Sequence, residues 1–316
     1  MTITTIKRII YTCQIYFCLC LFSINYAQHI DKSRKQPPNY SLSNPHYFSP
    51  FKSAYYARKH QLPVEIHNAR ATSRPPFATM KFMRKFSSGQ TLLIDADDTL
   101  WENNVYFEGA IAAFISYLNH HEYSPAEVRE ALNAVERETI LAHGYGLPSF
   151  TRSLVTCFER LSVEPVTEEK RQRVAGFANT IAEQDIELLE GVAESLAELA
   201  QRHRLILMTK GNQAEQADKL ARSGLAPHFT AVEIVAEKDP STYRAVIAHH
   251  ELAPHTSWMI GNSPRSDINP ALAAGLHAVF LFHKDTWVLE HASLDAAPPG
   301  QQLIELESFP ELCSIF

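Results

Sequence analysis

From Arg204 onward the chain alternates short apolar runs with amphipathic stretches, and this alternation restricts the folds open to it more than any other feature. "RLILMTK" (204–210), "AVEIVAE" (231–237), "SWMIGN" (257–262) and "HAVFLFH" (277–283) each read as a buried strand. Helical patterns over 213–223, 240–252 and 267–274 separate them. Strand and helix in strict alternation build a parallel sheet with helices on its faces. An earlier apolar run, 91–95 within "TLLIDADDTLW", supplies one more strand. Between it and Arg204 lie about a hundred residues of helical periodicity, over Phe107–His121, Pro125–His143, Phe150–Leu161, Glu168–Gln184 and Glu187–His203. The expected fold is therefore α/β, a Rossmann-like three-layer parallel sheet core with an inserted alpha-helical cap. The core takes 80–104 and 204–316, and the cap takes 105–203.

Residues 1–79 are of a different kind. They hold ten Lys/Arg against two Asp/Glu, whereas 80–316 hold 19 against 33. Lys7 and Arg8 precede an apolar stretch, Ile9 to Ala27, that resembles a secretory signal. Gln14, Ser23 and Asn25 interrupt it, which makes it marginal as a membrane span. Residues 28–79 carry Pro, Ser, Asn, His and Tyr without a helical or strand period and read as a linker. Met80 would be an ordinary start, so a chain beginning there is expected to hold the whole folded body and to be cytoplasmic. A genuine leader or anchor at 9–27 is the alternative, and membrane contact is expected only in that case. The acidic main body argues against a nucleic-acid partner. Cys13, Cys18, Cys20, Cys157 and Cys313 show neither a disulfide framework nor metal spacing.

In a parallel sheet, ligands bind beyond the carboxyl ends of the strands. The residues that follow each strand therefore belong together: Asp95 and Asp97, Thr209 and Lys210, Lys238, and Asn262 with Asp267. Among the neighbouring groups, Asp98 reads as a turn or helix-cap residue. Trp101 reads as a packing residue at the entry to the inserted helices, with a substrate platform as the alternative. His120, His121, His249 and His250 show no metal-like arrangement in sequence.

These segments carry a resemblance. "DADDTL" looks like the first motif of the haloacid dehalogenase superfamily of phosphohydrolases, and "LILMTKGN" like its second. Lys238 in "EKDPSTY" matches the third, and "IGNSPRSDI", with Asp267, the fourth. The resemblance covers roughly 90–285, and the helical insertion resembles the cap of the helical-cap subfamily. It implies a small phosphorylated metabolite as substrate and Mg2+ as cofactor. Asp95 would attack phosphorus, and Asp97 would carry the proton for the leaving alcohol and then for water. Thr209 and Lys238, with groups at Lys210 and Gly211, would bind the phosphoryl group. Asp95, the Asp97 carbonyl and Asp267 would hold the cation, as suits a hard, oxygen-seeking ion.

Asn262 departs from relatives that carry Asp at this point, and an indirect role is expected for it. The loop "HGYGLPSF" (143–150) is the expected specificity segment. A phosphomutase would use the same four motifs. A dehalogenase would have no use for Asp97. A phospho-receiver signalling module would place its motifs in another order on a shorter chain.

Overall fold

Leu92, Leu93 and Ile94 have no solvent exposure, because strand β1 (Thr91–Ile94) lies between two other strands. The computed structural model describes residues 85–118 and 122–316. The leader-like segment, the linker and His120 and His121 lie outside the described residues. Among the described residues, no helix is long and apolar enough to cross a membrane.

Six strands form one sheet. They are β1, β2 (Arg204–Lys210), β3 (Ala231–Val235), β4 (Ser257–Gly261), β5 (His277–Leu281) and β6 (Leu303–Leu306). All neighbouring pairs are parallel and the order is β3-β2-β1-β4-β5-β6. Ile94 stands opposite Leu207 on one side and Ile260 on the other, so β1 and β4 end side by side while β2 runs on to Lys210 against β3.

Alternation along each strand divides the core in two. Leu92, Ile94, Leu205 and Leu207 meet Leu196 and Leu199 of α5 (Val192–Leu199), Leu220 of α6 (Gln213–Ser223), and Leu312 and Ile315 of α9 (Leu312–Ile315). Leu93, Ile206, Met208 and Met259 meet Tyr243 and Val246 of α7 (Pro240–His249) and Ala271 of α8 (Asn269–Ala273). That is the three-layer Rossmann-like arrangement, produced by side chains pointing to opposite faces at successive strand positions.

Between β1 and β2 stands a helical bundle: α1 (Asn104–Leu118), α2 (Pro125–His143), α3 (Leu147–Leu161) and α4 (Glu168–Ala182). It buries a core of its own that includes Phe114, Leu132, Leu154 and Val174. Each such side chain contributes about 1.5–3 kcal/mol on burial. The helix starts are chemically explicit. Ser124 and Glu127 close a capping box on α2, with Ser124 N–H donating to Glu127 Oε2 at 2.8 Å. Thr167 accepts from Lys170 N–H to cap α4, and Asp239 accepts from Thr242 N–H to cap α7.

Three elements differ from the sequence reading. The pattern over 187–203 predicts one helix, yet the helix spans only Val192–Leu199. Gly191 has φ +70°, and a β-carbon there would collide with Pro310. The chain before it instead runs beside the entry to the bundle, with Trp101 bridging Leu188. The helix expected over 267–274 is a π-helical turn at Pro264–Ile268 followed by α8, with prolines at 264 and 270 breaking the ladder. Strand β6 was not foreseen, since "LIEL" is only four residues long and shows no clear alternation.

Candidate active site

The residues gathered from the strand ends line a single cleft between the sheet and the bundle, of about 1060 Å3 including its open mouth. Asp95, Asp97, Thr209, Lys210, Gly211, Lys238, Asn262 and Asp267 all contribute to its wall. At its floor Lys238 Nζ donates to Asp95 at 2.6 Å and to Asp267 at 2.7 Å. Lys238 is buried, as are Asp95, Asp267 and Thr209. Burial, and then the neighbouring Asp267, push the Asp95 carboxyl up to about 7 against the pull of Lys238. The same burial is opposed at Lys238 by Asp267 and Asp95, which keep the ammonium protonated well into alkaline pH.

Local structure fixes these positions. Asp267 folds back so that its Oδ2 accepts from Ser263 N–H at 2.9 Å. Its carboxylate then lies against Gly261, where any β-carbon would overlap it. Lys238 sits just ahead of the Asp239–Pro240 start of α7. Thr99 Oγ donates to Asp95 Oδ2 at 3.1 Å and lies 3.3 Å from Asn262 Oδ1, while the Asn262 amide donates to Thr286. Asn262 thus lies beside the Thr99 hydroxyl, whose single proton goes to Asp95.

Asp97 enters the cleft but turns away from Asp95. It accepts from Trp101 Nε1 at 2.8 Å, from Lys219 Nζ at 2.5 Å and from Gln216 Nε2 at 2.8 Å. Burial would raise its pKa. Lys219, and then the hydrogen bonds from Lys219, Gln216 and Trp101, outweigh burial and hold the carboxyl below its ordinary value. Trp101 is fully buried, so it is both a packing residue and an anchor for Asp97. Asp98 accepts the N–H groups of Asn103 and Asn104 at the start of α1 from a left-handed conformation, φ 58°. It is a cap residue, as its type allows.

Two groups at the end of β2 are already engaged within the protein. The Gly211 N–H donates to Val235 O at 3.1 Å, part of the link between the second and third strands. Gly211 serves conformation instead, with φ +144°. The Lys210 ammonium is held by Glu290 at 2.6 Å and Ser266 at 2.7 Å, and stands 4.6 Å above the Tyr145 ring.

The fold brings two of the histidines together. His249 and His250 lie 3.2 and 2.6 Å from Glu233 Oε1, a grouping that could accept an ion. Arg204 faces His250 Nδ1 at 3.2 Å and can only donate. His250 Nε2 therefore carries the proton and donates to Glu233, which accounts for the cluster without a metal. A second grouping, Asp98, Glu102 and His283, flanks the bundle entry. Neither includes Asp95 or Asp267.

Sequence reasoning did not find Glu290, Lys219, Gln216 or Glu136. Each sits on a helix or late loop where a charged residue is ordinarily solvated, and only the fold brings them inward. Glu136 of α2 is the most unusual of them. It is 5% exposed, lines the cleft, and its Oε2 has no hydrogen-bond partner. Burial pushes its carboxyl from 4.5 up to about 7, with Glu108 adding to the rise and Arg129 and Arg137 opposing it. A raised folded pKa gives stability that is complete below about pH 4.5 and lost as pH rises through about 7. Glu136→Gln is accordingly expected to match the parent protein at pH 5. At pH 8 it should melt several degrees higher, a gain of about 2–3 kcal/mol. Thermal melts at the two pH values check this, and equal melting temperatures at pH 8 would contradict the burial argument.

A parallel sheet with carboxylates and a lysine converging beyond its strand ends, under an inserted helical bundle, defines a hydrolase of the Rossmann-like α/β class. The haloacid dehalogenase-like hydrolase family matches residues 90–275, and the chain belongs to that family. Phosphoserine phosphatase of Thermus thermophilus is 34% identical over 97 residues, 28% of this chain and 39% of that protein. A haloacid dehalogenase-like hydrolase of Xanthomonas campestris is 28% identical, with a TM-score of 0.61 over 74% of this chain and 94% of its own. The fold is shared as well with the hydrolase YfnB of Bacillus subtilis, solved bound to magnesium. That chain is 17% identical, with a TM-score of 0.52 over 72% of this chain and 97% of its own.

Proposed function

We propose that this hydrolase is a Mg2+-dependent phosphatase that cleaves a small phosphomonoester through an aspartyl-phosphate. The observation that carries the reading is Lys238, shared at 2.6 and 2.7 Å between Asp95 and Asp267 on the floor of the cleft. Two buried carboxylates around one ammonium leave a net negative charge, which suits a divalent cation and repels a bare phosphate. The donor set fits Mg2+: two carboxylates, with the Asp97 carbonyl as the backbone ligand, leave the remaining positions to water and phosphate. Gly261, which gives the Asp267 carboxylate its place, is consistent with that ligand role. When bound, the cation would neutralise phosphoryl charge and fix its orientation.

The protein's own groups carry the chemistry. Asp95 attacks phosphorus, and the bond to the leaving alcohol breaks. Thr209 and Lys238 hold the phosphoryl oxygens. Asp97 in its present setting is an anion bound to Lys219. To protonate the leaving alcohol, it must swing from Lys219 toward the phosphoryl group, whose negative charge raises its pKa, and take up a proton from solvent before giving it to the alcohol oxygen. It then returns the proton balance by deprotonating the water that hydrolyses the aspartyl-phosphate. An acid two residues after the nucleophile favours phosphoryl over halide chemistry. Similarity to a phosphoserine phosphatase supports the same reading.

The test is a panel of small phosphomonoesters with release of inorganic phosphate as the readout. Activity is expected to vanish in EDTA and to return with Mg2+, and Asp267→Ala should raise the Mg2+ concentration required. Full activity in chelator would remove the cation from the mechanism. An isomeric phosphate ester in place of inorganic phosphate would make the enzyme a mutase.

A further inference from the structure

The cleft holds an excess of acid that its own bases do not balance. Three lysines line it, and each is already paired: Lys238 with Asp95 and Asp267, Lys219 with Asp97, and Lys210 with Glu290. Glu215 also lines it and accepts from Leu147 N–H at 3.0 Å. Glu136 is left with neither a cation in contact nor a donor to Oε2. The charged neighbours on its own helix are engaged elsewhere. Arg129 is bidentate to Glu108 at 2.5 and 2.8 Å, and Arg137 pairs with Glu130 at 3.5 Å. A second orphaned acceptor, Gln216 Oε1, opens on the same cleft, and its amide nitrogen is fixed on Asp97. The wall on the bundle side otherwise combines Phe107, Ile111, Ile140 and Phe150 with the hydroxyls of Ser149 and Ser153.

We propose that Glu136 receives a protonated amine on the leaving group, so that the preferred substrate is a small phosphate ester of an amino alcohol. The proposal rests on the phosphatase reading above and names its substrate class. A buried carboxylate is costly unless paired. A hydroxyl would satisfy its hydrogen bond and leave its charge unbalanced, whereas an ammonium satisfies the hydrogen bond and balances the charge. Glu136 thus discriminates by the group the substrate must bring, because an ester lacking that group leaves a buried acceptor unpaired.

The experiment compares O-phosphoethanolamine with ethyl phosphate, near-isosteres that differ by the ammonium. With the full chain and Mg2+, kcat/KM is expected to favour the amine ester by about tenfold or more. Glu136→Gln should bring that ratio close to one, and Glu136→Asp should restore part of it. Calorimetric titration of the two esters into full-length Asp95→Asn, with and without Glu136→Gln, reads the same preference as binding, without turnover. A ratio near one in the parent enzyme, or a preference unchanged by Glu136→Gln, would overturn the proposal while p-nitrophenyl phosphate hydrolysis upheld the phosphatase reading. Loss of hydrolysis of every phosphomonoester would overturn that reading, and calorimetry would still decide whether the amine subsite exists.

Discussion

Asp95→Asn is expected to lose phosphomonoester turnover by at least about 10⁴-fold, the scale seen when an enzyme nucleophile is removed. The amide is nearly isosteric, so the variant should fold. It cannot form an acyl phosphate by in-line attack, and its oxygen is a far weaker nucleophile. Acid-quenched mass spectrometry of the parent enzyme mixed with substrate should show a phosphoryl adduct on the peptide containing Asp95, and the variant should show none. Wild-type turnover by Asp95→Asn would sink the assignment outright. Asp97 is turned toward Lys219, and Asp98 holds the start of α1.

Lys238→Met should be the most destabilising single change at the site. The ammonium is 3% exposed and separates two buried carboxylates. Without it Asp95 and Asp267 face one another in a medium of low polarisability. Breaking such a buried network by removing one partner costs about 3–5 kcal/mol, which for a chain of this size lowers the melting temperature by roughly 10 °C. Mg2+ should recover part of the loss, since an ion that binds only the folded state stabilises it by mass action. The Mg2+-induced rise in melting temperature is therefore expected to be larger in Lys238→Met than in the parent protein. An unchanged melting temperature would mean that the two carboxylates relax apart freely, and the compact floor described here would be wrong.

Much of this site was legible in the chain because its parts obey a topological rule. Asp95, Thr209, Lys238 and Asp267 each follow a strand or open a helix in a parallel sheet, so knowing the strands was enough to gather them. What could not be read were contacts set by side-chain direction and by elements far apart in sequence. Asp97 was recognisable as a carboxylate near the nucleophile, but its capture by Lys219 and Gln216 depends on how α6 packs over the cleft. Gly211 looked like a source of a free N–H, and the pairing of β2 with β3 occupies it. Glu136 lies on a helix whose period marks it only as a position between core residues. Its burial follows from α2, α3 and the sheet meeting around the cleft. The break at Gly191 was hidden because Leu188, Leu189 and Val192 keep a helical spacing while the chain is extended.

The two crossings between sheet and bundle are fastened to each other. Leu189 N–H donates to Leu100 O at 3.0 Å and Glu102 N–H to Glu187 O at 2.9 Å. On the opposite lip, Tyr145 meets Glu237 at 2.7 Å and Leu147 meets Glu215. The geometry is that of a jaw with one pivot and a polar clasp. Lys210 belongs to the clasp as well, with its ammonium against the Tyr145 ring. Where opening of such a clasp sets the rate of release, Tyr145→Phe, which removes the bond to Glu237, is expected to speed release at the expense of retention.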